Sequence, residues 1–426
     1  MRIHLAYGKS GLDVEVPERN LVKVLSMDAA RPVSDPHIEI SRALTHPIGL
    51  PPFSELAAGA KSACVVICDI TRPAPNTIML PPVLETLERS GIRRNNTTIL
   101  VATGLHRPNS YEELKAMVGE DIQGSYKVVN HHARVLHEQR FLGVTENRTR
   151  VYIDEEYCSA DLKITTGFIE PHLMAGFSGG RKMVAPGCAG EETIKTLHSP
   201  FFLEDPYCCE GSIEKNPLHH ELLEIAAMAG HNFIVNVSLD ASGRITGVFS
   251  GGPIEAHAVG VEAVRRSVRS TVSEPADIVI TTSAGFPLDL TYYQAVKGIT
   301  AALPVVRKGG MLILVAECAE GLGSEEFSAM ATSFSSADAF LDWILKNPVS
   351  IDQWQLEECA KGARHADVVL VSSGIKDEQR EKLFVHSANT VEEALERGLK
   401  QFGSHASVAV IPKGPYTLVE VEAAQA

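Results

Sequence analysis

Short apolar, β-branched runs alternate along the chain with longer stretches of helical spacing. Eight runs stand out: Cys64–Cys68, Thr98–Ala102, Leu162–Thr165, Phe233–Val237, Ile278–Thr281, Met311–Val315, Val368–Val371 and Val408–Ile411. Each is apolar at nearly every position and ends in polar or glycine-rich sequence, which predicts strands buried on both faces. Between several of them lie Pro81–Ser90, Pro217–Ala229, Pro253–Ser267, Phe327–Leu345 and Val391–Phe402, with the three- and four-residue spacing of helices. This alternation predicts an α/β fold of mostly parallel sheets. The polar, proline-containing stretch Arg269–Asp277 reads as a linker between a first domain, residues 1–270, and a second, residues 271–406. By periodicity alone, residues 407–426 either finish the second domain or cross back to the first.

A length of 426 residues suits two such domains. With 53 acidic against 39 basic residues, the net charge of −14 repels phosphate backbones and anionic lipid, so neither nucleic acid nor membrane is an expected partner. No run of about 20 apolar residues and no leader-like start occurs, which points to the cytoplasm. The eight cysteines lack a C-x-x-C pair, and no chemistry is assigned to them.

Ligands of open α/β sheets collect at the carboxyl ends of strands. There the first three runs deliver Asp69-Ile-Thr71-Arg72-Pro73, Thr103-Gly-Leu-His106-Arg107-Pro108 and Gly167-Phe-Ile-Glu170-Pro171-His172. An acid, a guanidinium and two imidazoles thus reach one sheet edge. The segment continues as Gly176-Phe-Ser178-Gly179-Gly180-Arg181-Lys182, where close glycines allow an anion-binding nest and Arg181 or Lys182 can neutralise a phosphate. Its spacing excludes a Walker A loop, and no G-x-G-x-x-G follows the first strand, which argues against a dehydrogenase using a free dinucleotide. The helix pattern Glu191–Leu197 stops at His198, whose imidazole is open to three readings: metal ligand, phosphate donor or complement to the helix end.

Two histidines at neighbouring strand ends suit proton transfer on opposite sides of one carbon, as a racemase needs. The C2 hydrogen of a 2-hydroxy acid is too weakly acidic for an imidazole, so an electron sink beyond the side chains must take it as hydride. In the second domain, Gln294 and Lys297 stand three apart on one helix face, placed to meet a carboxylate, and Trp354 is a core residue or a lid over a planar ligand. A two-domain protein that closes on a small anion without chemistry is the non-enzymatic alternative.

The Asp69-x-Thr71-Arg72-Pro73, Gly104-Leu-His106-Arg107-Pro108 and Pro171–Gly187 segments, His198 and Tyr293-Gln294-x-x-Lys297 together resemble the nickel-dependent lactate racemase family over nearly the whole chain. The resemblance implies an isomerase acting on lactate or a related 2-hydroxy acid. It implies a nickel-bearing pyridinium-3-thioamide-5-thiocarboxylic acid mononucleotide joined to Lys182 through a thioamide, with His198 completing the nickel coordination. Ser178, Gly179 and Gly180, with Asp69 and Thr71, would hold the nucleotide. His106 and His172 would alternate as bases while hydride passes to the cofactor, leaving a 2-oxo acid. Arg72, Gln294 and Lys297, with Tyr293 beside them, would orient substrate oxygens, and Trp354 would shape the pocket. The site would lie in the cleft between the domains, residues 407–426 would return to the first domain, and cofactor-synthesis enzymes would be needed for activation.

Overall fold

A computed structural model describes residues 1–28, 30–240 and 242–422. It contains two α/β units, each built on a six-stranded sheet. In the first sheet the spatial order is Ile245–Gly251, Phe233–Leu239, Leu162–Phe168, Ala63–Cys68, Thr97–Ala102 and Lys127–Asn130. All neighbours are parallel except Ile245–Gly251, which runs antiparallel to its partner. The second sheet is parallel throughout, in the order His386–Ala388, Asp367–Val371, Val306–Val315, Ala276–Thr282, Val408–Ile411 and Leu21–Val24. Every residue of Ala63–Cys68 is buried, which is why that run carries no polar alternation.

Two chain ends depart from the expected division. The strand Val408–Ile411 pairs with Ile278–Thr281 and so finishes the second sheet rather than returning to the first. Leu21–Val24 crosses to join it, and the hairpin Arg2–Leu5 with Leu12–Glu15 buries Ile3, Leu5 and Val14 against Ile278 and Ile280. Pairing between residues so far apart leaves no mark on local periodicity. Beyond Val408–Ile411 the chain does reach the first unit, where Leu418 packs with Ile169, Phe177 and Phe249. Residues 423–426 lie outside the described residues.

The stretch read as a linker also differs. Arg269–Val272 is a strand paired with Leu418–Val421, and Arg269 Nε donates to Glu420 Oε2 at 2.7 Å, so its polar side chains serve a two-stranded ribbon. Phe327–Leu345 is two helices, Glu325–Ala331 and Ala337–Ile344; the second starts where Ser336 Oγ accepts from Ala339 N. The helix expected from Pro81 begins at Asn76 and keeps Pro81 and Pro82 inside it. The others lie close to their expected bounds, among them Val391–Phe402, capped by Thr390.

A buried polar pair ties the first sheet to the turn that follows Lys182. His131 Nδ1 meets Asp154 Oδ2 at 2.7 Å, and its Nε2 meets the Ala189 carbonyl at 2.8 Å. Both side chains are almost fully buried, so removing one strands the other without water. Asp154→Ala is expected to lower stability by about 3 kcal/mol, read as an earlier midpoint in urea denaturation with unchanged slope.

Candidate active site

The carboxyl ends of the first sheet's central strands and one helix of the second unit line a single cavity of about 640 Å³. Asp69 follows Ala63–Cys68 and is buried. Its Oδ2 accepts from His106 Nδ1 at 2.7 Å and its Oδ1 from the Thr71 hydroxyl at 2.7 Å. Burial alone would raise this carboxyl. The His106 hydrogen bond and charge, with Thr71 and Arg72, hold it below the usual carboxylate range. Because the carboxylate fixes the proton on His106 Nδ1, Nε2 carries a lone pair, and it has no hydrogen-bond partner among the described residues. Asp69, expected at the nucleotide, is thus engaged with His106, and Thr71, expected there too, with Asp69.

His172 lies on the short hairpin Pro171–His172 with Gly176–Phe177. Gly176 sits at φ +75, and a Cβ there would stand 1.9 Å from the Ser212 carbonyl, so only glycine closes this hairpin. His172 Nδ1 accepts from the Met174 and Ala175 backbone N–H groups at 3.2 Å, and its Nε2 stands 2.6 Å from Lys182 Nζ. Burial first, then Lys182, Lys297 and Arg72, pushes this imidazole well below its ordinary value, so it is neutral. Burial first, then Arg72, Arg181 and Lys297, likewise pushes the Lys182 amine well down.

Arg181 does not face the ligand side. It is fully buried and donates to the carbonyls of Ala175 and Phe177 and to His257 Nε2, clasping the hairpin that carries His172. The glycine-rich nest is also partly spent. Ser178 Oγ bonds Phe168 O and the Glu170 N–H, and the Gly180 N–H goes to Asn236 Oδ1 at 2.9 Å. Gly180 packs against His257 instead of lining the cavity. Ser178 and Gly179 do line it, and the Gly179 N–H has no partner among the described residues. Gly179 holds φ +80 with Asn236 Oδ1 only 2.8 Å from a Cβ position, so a side chain there has no room.

His198 ends the helix Glu191–Leu197, where its Nδ1 donates to the Ile194 carbonyl at 2.8 Å. That bond leaves a lone pair on Nε2, the arrangement of a metal-ligating histidine. Burial, opposed by the Ile194 bond and reinforced by Lys182, brings the imidazole down to about 4, so it is uncharged near neutrality. Trp354 of the second unit packs on the His198 ring, centroids 4.7 Å apart, and donates from Nε1 to the Tyr293 hydroxyl at 3.0 Å. Thr291 caps the helix Tyr292–Ala302, which presents Tyr293, Gln294 and Lys297 to the cavity. Gln294 Oε1 is buried with no partner among the described residues, and Arg72 lines the same space. Among the described residues no three His, Cys, Asp or Glu side chains are grouped to hold a metal.

Every sequence-predicted site residue except Gly180 and Arg181 lines this cavity. Glu170 lines it as well, though the sequence pattern suggested no role for it. Burial raises its carboxyl while Arg72, Lys297 and Lys182 pull it down. Its place directly before Pro171-His172 was the signal available. Trp354→Phe, which keeps an aromatic ring on His198 but removes the donor to Tyr293, is expected to raise KM several-fold with little change in kcat, measured by steady-state kinetics.

A family model described as the lactate racemase N-terminal domain matches residues 7–208, and one described as the lactate racemase C-terminal domain matches residues 271–419. The chain is 34% identical over 423 residues to the lactate racemase of Thermoanaerobacterium thermosaccharolyticum, covering 98% of this chain and 99% of that one. It is 35% identical over 424 residues to the lactate racemase of Lactiplantibacillus plantarum, with the same coverage. The structure of the lactate racemase apoprotein from T. thermosaccharolyticum superposes with a TM-score of 0.92, at 33% identity over 98% of this chain and 100% of that one. A Thermotoga maritima protein at 18% identity and a TM-score of 0.70, over 93% of this chain and 100% of its own, shares the fold.

Proposed function

The chain belongs to the lactate racemase family, and from that premise we propose that it interconverts the two hands of a small 2-hydroxy acid, lactate or a close relative. The observation that carries this reading is the convergence of His106, His172, Lys182 and His198 on one cavity. The reading includes the site as a cleft between the two units, a place in the cytoplasm, and activation by cofactor-synthesis enzymes.

The residues fit the nickel-bearing pyridinium-3-thioamide-5-thiocarboxylic acid mononucleotide that the family resemblance implies. Lys182 offers an amine for a thioamide link, His198 Nε2 a lone pair for nickel, and Ser178 with the free Gly179 N–H a cradle too tight for any side chain. Nickel accepts imidazole beside sulfur donors. When bound, that group supplies the hydride acceptor and donor which the side chains lack.

The chain's own groups do the rest. Arg72 and Lys297 draw the substrate carboxylate, and the Gln294 amide NH2 donates to a substrate oxygen. His106 Nε2 takes the hydroxyl proton from one hand of the substrate, with Asp69 stabilising the imidazolium that forms. His172 serves the other hand once Lys182 is acylated and releases it, as the tautomer that carries its proton on Nδ1 and leaves Nε2 to accept; the Met174 and Ala175 N–H groups turn away from Nδ1 in that form. Trp354 closes the cavity over His198 and excludes water, which protects the 2-oxo acid while it turns.

Racemisation of C2-deuterated lactate by the loaded enzyme in ordinary water tests the reading. The product of opposite hand is expected to keep its deuterium; rapid washout contradicts internal return of the hydride. Steady accumulation of the 2-oxo acid instead would favour a dehydrogenase.

A further inference from the structure

Which partner of the His172–Lys182 contact holds the proton follows from the far edge of the imidazole. His172 Nδ1 faces the N–H groups of Met174 and Ala175 at 3.2 Å, and an N–H only donates. Nδ1 therefore carries a lone pair, and a neutral imidazole with a bare Nδ1 bears its proton on Nε2. An ammonium at Nζ, 2.6 Å away, would set N–H against N–H. A neutral amine offers the lone pair that Nε2–H needs. We infer that the chain stores Lys182 as an uncharged amine held by His172 Nε2–H, an acylation site for activated carboxyl or thiocarboxyl compounds at neutral pH.

The surrounding charges act in the same direction. Facing Lys182 are Arg72 beyond the strand Ala63–Cys68, Arg181 in its own turn, Lys297 on the helix Tyr292–Ala302, neutral His198, and one carboxyl, Glu170. An ordinary exposed lysine is an amine in only about one molecule in 2,500 at pH 7. Acylation forms the Nζ–C bond with the amine's electron pair, while the leaving group departs with the pair of the bond it breaks and the amine proton passes to water or the leaving anion. With a thiocarboxylic acid the balance is acid plus amine giving thioamide plus water.

The inference rests on the proposed function only for the identity of the natural acyl compound, and its test uses neither nickel nor substrate. Full-length protein made without the cofactor-producing enzymes is treated with trace acetic anhydride between pH 6 and 10 beside an internal amine standard, and each lysine is followed by peptide mapping. Labelling of Lys182 is expected to stay flat from about pH 7 to 9 and to exceed that of exposed Lys346 by roughly ten-fold or more at pH 7. A ten-fold rise per pH unit through pH 9, or no acetyl group on Lys182 at any pH, overturns it. Nitrogen-15 NMR of His172 is expected to show Nδ1 bare and Nε2 protonated; the reverse tautomer overturns it too. Should Lys182 pass these tests yet carry no adduct after co-production with the cofactor-making enzymes, the proposed function fails and this inference stands. A Lys182 that loads with the cofactor, yet labels like a surface lysine when empty, overturns this inference and leaves the proposed function standing.

Discussion

Lys182→Ala is expected to reduce racemisation to the background of buffer alone, with no mass adduct and no bound nickel after co-production with the cofactor-making enzymes. The effect is large because Lys182 is the amine held at His172 Nε2, and the reaction lacks a hydride acceptor without the attached group. Lys182→Arg sharpens the test. It keeps a basic side chain of similar length, but a guanidinium stays protonated and cannot be acylated, so it is expected to be equally inactive. Turnover by either variant, measured as loss of optical purity of one lactate hand, would remove Lys182 from the chemistry.

Asp69→Asn carries the second largest expectation, a fall in kcat on the order of 10³ with the Lys182 adduct intact. Its carboxylate makes His106 Nδ1 the protonated nitrogen and leaves Nε2 free to accept a proton. An asparagine can turn its NH2 toward Nδ1, which places the proton on Nε2 and removes the base, and it no longer stabilises an imidazolium. The adduct, read by intact mass, separates this outcome from lost loading. A variant with wild-type kcat would show that His106 needs no orientation. A variant without adduct would place Asp69 at the nucleotide, as the family resemblance implies.

The strand-end rule located the site. Asp69, His106 and His172 each stand within a few residues of the end of a buried apolar run, so parallel packing brings them to one edge. The glycine-rich segment was less legible. Arg181 and Lys182 are adjacent basic residues in an identical local context, yet one is buried in the hairpin and the other reaches the cavity. That choice depends on the turn at Gly179 and Gly180 and on acceptors contributed from elsewhere, His257 and the carbonyls of Ala175 and Phe177. Asn236, inside a strand read only as apolar, anchors the same turn through the Gly180 N–H.

By itself the sequence determined the class of fold, most buried strands, the edge where polar groups gather and, by its motifs, the family. These follow from patterns repeated over a few residues, which burial and backbone geometry read locally. Tertiary structure alone decided that Leu21–Val24 and Val408–Ile411 share the second sheet, that Trp354 packs on His198, and that His172 holds Lys182. Each of these joins residues whose contact depends on how whole elements settle against one another, and no local spacing records that.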